Sequence, residues 1–284
     1  MLKIIETPRD GIQGLRQFIP TKKKVDYLNA MLKVGFDTVE VGSFVSSKAI
    51  PQLKDTDAVL KKINLSDSHS KVMVLVGSIK GVREAAKYDA IDHISFPFSI
   101  SETFLKKNIR KNLNESFDMI KYMMDISLQA GKEMIIYISM GFGNPYGDPW
   151  NYDLLEGWVK KLFDIGLRII PVSDITGESN PQQISEVYGR LIKDFPKVEF
   201  GFHLHATKNN WYAKTDAAYK AGCRRFDTVV GGLGGCPMTG KEMLSNLDTF
   251  DLLRYFEEKE IPFFIDKEKL YLASRIANEI KQYE

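Results

Sequence analysis

Val198-Glu199-Phe200-Gly201-Phe202-His203-Leu204-His205 is the stretch from which both the fold and the chemistry of this chain are read. Side chains alternate between the two faces of a strand. Val198, Phe200, Phe202 and Leu204 therefore share one face, and Glu199, Gly201, His203 and His205 the other. The apolar face suits packing beneath helices. The opposite face carries two imidazoles about 7 Å apart along the strand, close enough to ligate one cation. Two of the chain's four histidines stand here. A pair of hydrogen-bonded core histidines is the alternative that this strand alone leaves open.

Outward from this strand, short apolar runs alternate with amphipathic stretches from end to end. Strands are read near residues 2–6, 38–41, 71–76, 93–96, 134–140, 169–172, 198–205 and 225–230. Helices are read over 21–34, 55–63, 81–87, 112–130, 153–165, 181–194, 211–221 and 246–257, with a closing helix over 267–282. Asn180-Pro181 places a capping side chain before a proline in the first turn. Gly35, Gly131, Gly166 and Gly222 each follow a helical run, where a left-handed terminator is expected. Eight strand–helix units imply an α/β fold, a TIM (β/α)8 barrel with an extra C-terminal helix. A doubly wound open sheet is the rival. No linker or low-complexity tract divides the chain, so residues 1–284 are expected to form one catalytic domain.

Composition narrows the function. Of the 284 residues 44% are hydrophobic and 27% charged, enough for a sizeable core in an ordinary globular protein. A net charge of +2 offers no broad basic field, so nucleic acid is not an expected partner. No apolar run approaches the roughly 20 residues that span a bilayer, so no membrane partner is expected. Cys223 and Cys236 make no disulfide framework, and with no secretory leader visible the expected location is cytoplasmic.

In such a barrel the chemistry collects at the C-terminal ends of the strands. Arg9 and Asp10 follow the first strand, Glu40 and Ser43 end the second, Asp174 and Thr176 the sixth, and His203 and His205 the seventh. Asp10, His203 and His205, with Asn246 as a neutral oxygen donor, form a mixed oxygen and nitrogen set. That set suits Mg²⁺ or Mn²⁺ better than a closed tetrahedral zinc site. Asp10 as a turn or cap residue, and Asn246 as an ordinary helix N-cap, are the alternatives. Cys236 lies in Gly231-Gly232-Leu233-Gly234-Gly235-Cys236-Pro237, a glycine-rich loop that keeps a thiol reachable. Cys223 reads as structural. The runs Lys22-Lys23-Lys24 and Lys106-Lys107 read as solvated helix faces, with contact to coenzyme A phosphates as the alternative.

Five segments in order resemble hydroxymethylglutaryl-CoA lyases, members of a metal-dependent TIM-barrel superfamily that includes Claisen synthases. They are Pro8-Arg9-Asp10-Gly11-Ile12-Gln13, Glu40-Val41-Gly42-Ser43-Phe44-Val45-Ser46-Ser47-Lys48, Ser173-Asp174-Ile175-Thr176-Gly177, His203-Leu204-His205 and Gly232-Leu233-Gly234-Gly235-Cys236-Pro237. The resemblance implies retro-Claisen cleavage of 3-hydroxy-3-methylglutaryl-CoA to acetyl-CoA and acetoacetate, as in leucine degradation and ketone-body formation. It implies that Asp10, His203, His205 and Asn246 hold the divalent cation and that Arg9 stabilises the enolate oxygen. Glu40 and Asp174 would serve an acid/base network, and Cys236 would transfer a proton. The expected partners are an acyl-CoA substrate and a second copy of the chain in a dimer. Ala206 stands where such enzymes carry an acidic residue. A 2-oxo-acid aldolase or Claisen synthase of the same superfamily, and a non-catalytic acyl-CoA-binding homologue, are the alternatives.

Overall fold

Eight strands of the computed structural model, which describes residues 1–234 and 244–284, run parallel. They are β1 (Lys3–Glu6), β2 (Thr38–Phe44), β3 (Lys71–Val76), β4 (His93–Ser99), β5 (Glu133–Ser139), β6 (Ile169–Asp174), β7 (Glu199–Ala206) and β8 (Arg225–Thr228). Each pairs with the next in chain order, and β8 returns to pair with β1, Lys3 beside Arg225 and Glu6 beside Thr228. The sheet is therefore closed, and helices surround it. This is the TIM barrel expected, and closure excludes the open doubly wound sheet.

The alternation read in β7 governs the whole wall. Phe200, Phe202 and Leu204 join Val72, Val74, Ile136 and Ile170 in the layer between barrel and helices. Ile5, Met73, Ile135, Tyr137 and Ile169 form a separate cluster on the opposite parity. The register sets Ser173 beside His203 and His203 beside Asp227, so these polar groups share one row of the barrel. At Gly201 a Cβ would lie 2.9 Å from Cδ of Arg225, so the missing side chain makes room for a fully buried guanidinium.

Local signals set the helix ends. The Asn180 side chain accepts from the Gln183 N–H ahead of Pro181–Asp194, and Asn112 forms a reciprocal capping box with Glu115. Gly35, Gly131, Gly166 and Gly222 all take positive φ, as terminators do. The closing helix, Lys267–Ile280, packs on Thr21–Met31 and buries Leu270, Ala273, Ala277 and Ile280.

The structure corrects several readings. The helix expected from Asn246 begins at Thr249, capped by Asp248. Ser245–Asn246 is instead a two-residue strand, β9, antiparallel to His205 and Ala206, so Asn246 is not an N-cap. Two residues carry no periodicity from which such a strand could be read. The helix Pro8–Ile12, only five residues long, went unread for the same shortness, and the helix face read at Lys106-Lys107 belongs to a helix Glu102–Ile109. Lys24 is not solvated: it is buried against Asp55 at 2.7 Å, with the Phe18 ring 4.1 Å away. No helix among the described residues is long and apolar enough to cross a membrane.

Glu6, wholly buried, fastens β1 to the segment that follows β8. It accepts from the Val230 N–H at 2.7 Å, from Thr249 at 2.7 Å and from Thr228 at 3.1 Å. Burial pushes its carboxyl from the ordinary 4.5 up to about 8, against the pull of these donors. The folded state thus keeps a proton that the unfolded chain gives up, so stability falls as pH rises from about 4.5 towards about 8. Glu6→Gln carries no such proton. Its melting temperature relative to wild type should climb between about pH 5 and about pH 8, as read by thermal denaturation. Parallel curves would show that the carboxyl is ionised throughout.

Candidate active site and metal centre

Asp10 sits in the helix Pro8–Ile12 directly after β1, where proline pre-sets the first turn. His203 and His205 reach the same mouth from β7, and Asn246 from β9. Asp10, His203 and His205 each offer a ligand atom to one cluster. Its three sides are 3.1 Å between the two Nε2 atoms, 4.0 Å from His203 Nε2 to Asp10 Oδ2 and 3.9 Å from His205 Nε2 to the same oxygen. A point equidistant from all three lies about 2.1 Å from each (the circumradius of that triangle), the bond length of a small dication. All three residues are buried, as is Asn246. Asn246 donates through Nδ2 to Asp10 Oδ2 and to the Leu233 carbonyl, both at 2.9 Å.

A second layer fixes this cluster. Arg9 donates through Nε to Glu40 at 2.8 Å, with Nη2 2.7 Å from the same Glu40 oxygen. Its Nη1 donates to Asp10 Oδ1 at 3.1 Å and to Gln13 at 3.0 Å. Gln13 returns a hydrogen bond to Asp10 at 2.6 Å, and Ser95 donates to Glu40 at 3.1 Å. A guanidinium has five N–H bonds. Three donate here, and Nη2, in ion-pair contact with Glu40, makes no hydrogen bond among the described residues. His203 Nδ1 stands 3.2 Å from Asp227 on β8, and the Tyr137 ring meets the His203 ring edge-on at 5.8 Å between centroids.

Burial disfavours every charge here, and the partners decide which survive. Against burial, the Arg9 charge, the two imidazoles and the Asn246 donor hold the Asp10 carboxyl below its usual range. Burial likewise opposes charge on Arg9, but Glu40 and Asp10 outweigh it and hold the guanidinium above its ordinary value. For His203 the Asp227 contact and Asp10 overcome burial and raise it. Burial and the neighbouring His203 push His205 down to about 4. Burial raises the Glu40 carboxyl against the pull of Arg9, so the lowered Asp10 carboxylate is the anion that stands beside the two imidazole nitrogens. Such a site can take a hard dication.

The structure thus brings together Arg9, Asp10, Glu40, His203, His205 and Asn246. Asp174 stands apart in its contacts. Its Oδ2 meets Lys214 Nζ at 2.9 Å and the Ser179 hydroxyl, and no hydrogen bond or ion pair joins it to that cluster. Lys214 also donates to the Gly177 carbonyl at 2.8 Å, so it ties the loop after β6 to the helix Trp211–Lys220. Cys236 lies outside the described residues. Cys223 is buried, its thiol pushed up to about 12 by burial. Gln13, Tyr137, Lys214 and Asp227 were not singled out from sequence. Asp227 lies one step from Phe226 on a strand, but only the register reveals its partner.

A closed barrel with a carboxylate–bis-imidazole cluster at its mouth defines a TIM barrel with a candidate metal centre. The HMGL-like family model matches residues 2–276, and the chain belongs to that family. The hydroxymethylglutaryl-CoA lyase YngG of Bacillus subtilis is 30% identical over 268 residues, 94% of this chain and 89% of that protein. The (R)-citramalyl-CoA lyase of Chloroflexus aurantiacus is 27% identical over 277 residues, 94% of this chain and 86% of that protein. Among solved structures, the B. subtilis HMG-CoA lyase superimposes with a TM-score of 0.92 at 30% identity, covering 99% of this chain and 94% of that one. An HMG-CoA lyase from Acinetobacter baumannii in complex with coenzyme A and 3-methylmalate gives 0.90 at 30% identity, covering 99% and 91%.

Because Asp174 and Lys214 are both buried, Lys214→Met should leave an uncompensated charge and cost about 3–5 kcal/mol. The double variant Asp174→Asn/Lys214→Met should recover most of that loss. Urea denaturation of the two variants checks this, and equal losses in both would show that the pairing contributes nothing.

Proposed function

We propose that the protein cleaves 3-hydroxy-3-methylglutaryl-CoA to acetyl-CoA and acetoacetate in a retro-Claisen reaction that depends on Mg²⁺ or Mn²⁺. The observation that carries this reading is the convergence of Asp10, His203 and His205 on one cation-sized point, with Arg9 anchored beside it. Family membership across nearly the full chain supports it. So does the coenzyme A in the complex of the A. baumannii relative.

Asp10, His203 and His205, with Asn246 through its amide oxygen, would hold the dication. When bound, it supplies Lewis-acid polarisation of the substrate oxygens at the carbon that becomes a ketone. The reaction removes the proton of the tertiary hydroxyl and breaks the carbon–carbon bond, leaving acetoacetate and a thioester enolate. That enolate takes a proton at carbon to become acetyl-CoA. Arg9 serves the enolate oxygen through Nη2, and the charge of the guanidinium offsets the one that develops. Glu40 holds the guanidinium plane by two contacts to one oxygen, so Arg9 need not reorganise as charge appears. Glu40 and Asp174 supply the carboxylates of the acid/base network, Asp174 through the loop it anchors with Lys214. Cys236 is the proposed carbon acid–base group.

The C. aurantiacus relative makes citramalyl-CoA the natural second thioester to assay. In either case the substrate is a 3-hydroxyacyl-CoA, and a cytoplasmic homodimer acting in leucine breakdown or ketone-body formation is the proposed setting.

Purified protein with Mg²⁺ or Mn²⁺ should release acetoacetate from hydroxymethylglutaryl-CoA, and EDTA should abolish turnover reversibly. No turnover of either thioester across both metals would remove the lyase reading. Arg9→Met should lower kcat roughly 100- to 1,000-fold, with a much smaller change in KM, because the contact strengthens only as enolate charge develops. A loss confined to KM would assign Arg9 to ground-state binding instead.

A further inference from the structure

Beneath the metal cluster the barrel interior is unusually polar. Asp227 on β8 points one oxygen at His203 Nδ1, 3.2 Å away, while its other oxygen is buried without a hydrogen-bond partner. Nε and Nη2 of Arg225 are likewise buried without a hydrogen bond. Arg225 spends its Nη1 on Glu199 at 3.0 Å, and its stem lies across Gly201. Polar atoms so placed call for ordered water, because an unsatisfied buried group is costly.

We infer that Asp227 is the positioning residue that aims His203 at the cation. A carboxylate accepts only, so the ring must present Nδ1–H to it, and Nε2 is left as the bare nitrogen facing Asp10 and His205. The Tyr137 ring, edge-on to the imidazole, blocks rotation on the other side. Among the described residues no carboxylate is hydrogen-bonded to Nδ1 of His205, so the two imidazoles are held unequally.

This inference rests on the metal reading proposed above, and the test separates the two. Mn²⁺ affinity is measured on the whole protein by titration with electron paramagnetic resonance of the free ion, with no substrate present. Asp227→Ala should weaken Mn²⁺ binding about 10- to 100-fold. Asp227→Asn keeps an acceptor oxygen without the charge and should lose less, which ranks the variants. Should Asp227→Ala fail to fold, Asp227→Asn alone must still bind several-fold more weakly, or the inference falls. A second readout is the ¹⁵N spectrum of labelled histidine in the apo protein. His203 should show one Nδ1–H tautomer in wild type and a mixture in the variants, a change that a merely structural role would not produce. Wild-type Mn²⁺ binding with variants within about twofold of it, or an unchanged tautomer, would overturn the role of Asp227 alone. Failure of the wild type to bind Mn²⁺ would remove the metal site and this inference together.

Discussion

One carboxyl group, that of Asp10, is the point on which the mouth of the barrel depends. Arg9 and Gln13 approach one of its oxygens, and Asn246, His203 and His205 the other. Burying a carboxylate is costly unless every lone pair finds a partner. Here the partners come from the helix after β1, from β7 and from β9, segments separated by most of the chain. The requirement to satisfy one buried charge therefore draws the site together. It also leaves the two imidazole nitrogens and one carboxylate oxygen facing a common point.

The barrel makes this convergence possible through closure. β1 lies beside β8 and β8 beside β7, so the first strand and the last third of the chain are neighbours. Inside, apolar and polar groups share the wall, Ile5 beside Asp227 and Met73 beside Glu40. An apolar cluster of Ile5, Met73, Ile135 and Ile169 includes Tyr137, and beside it stand Glu40, Asp227 and the histidines. Gly201 belongs to the same design: without a side chain at that position there is room for Arg225. The interior is thus organised around charge pairing as much as around apolar packing.

Two departures from the expected pattern meet on the β6–β7 side of the mouth. Ala206 is buried where an acidic side chain is expected, and it pairs with Ser245. Lys214, nearly inaccessible to solvent, neutralises Asp174. Through Oδ2 this aspartate anchors the loop from Ile175 to Ser179, while its Oδ1 is buried without a hydrogen bond. The carboxylate that stands against an imidazole of the cluster is Asp227, on the neighbouring strand.

Much of this was legible in the sequence. Period-two alternation in Val198 to His205 already separated the helix-facing side chains from the imidazoles, because a strand fixes the direction of each side chain locally. The eight strand–helix repeats determined the barrel, and the Pro8-Arg9-Asp10 and His203-Leu204-His205 segments determined most of the donor set. What tertiary structure alone decided was partnership. β9 is two residues long and exists only because His205 and Ala206 offer it an edge, so Asn246 read locally as a helix cap. Asp227 became the partner of His203, and Lys214 that of Asp174, through register and through contact between β6 and a distant helix. Local periodicity says which way a side chain points; only closure of the sheet says what it meets there.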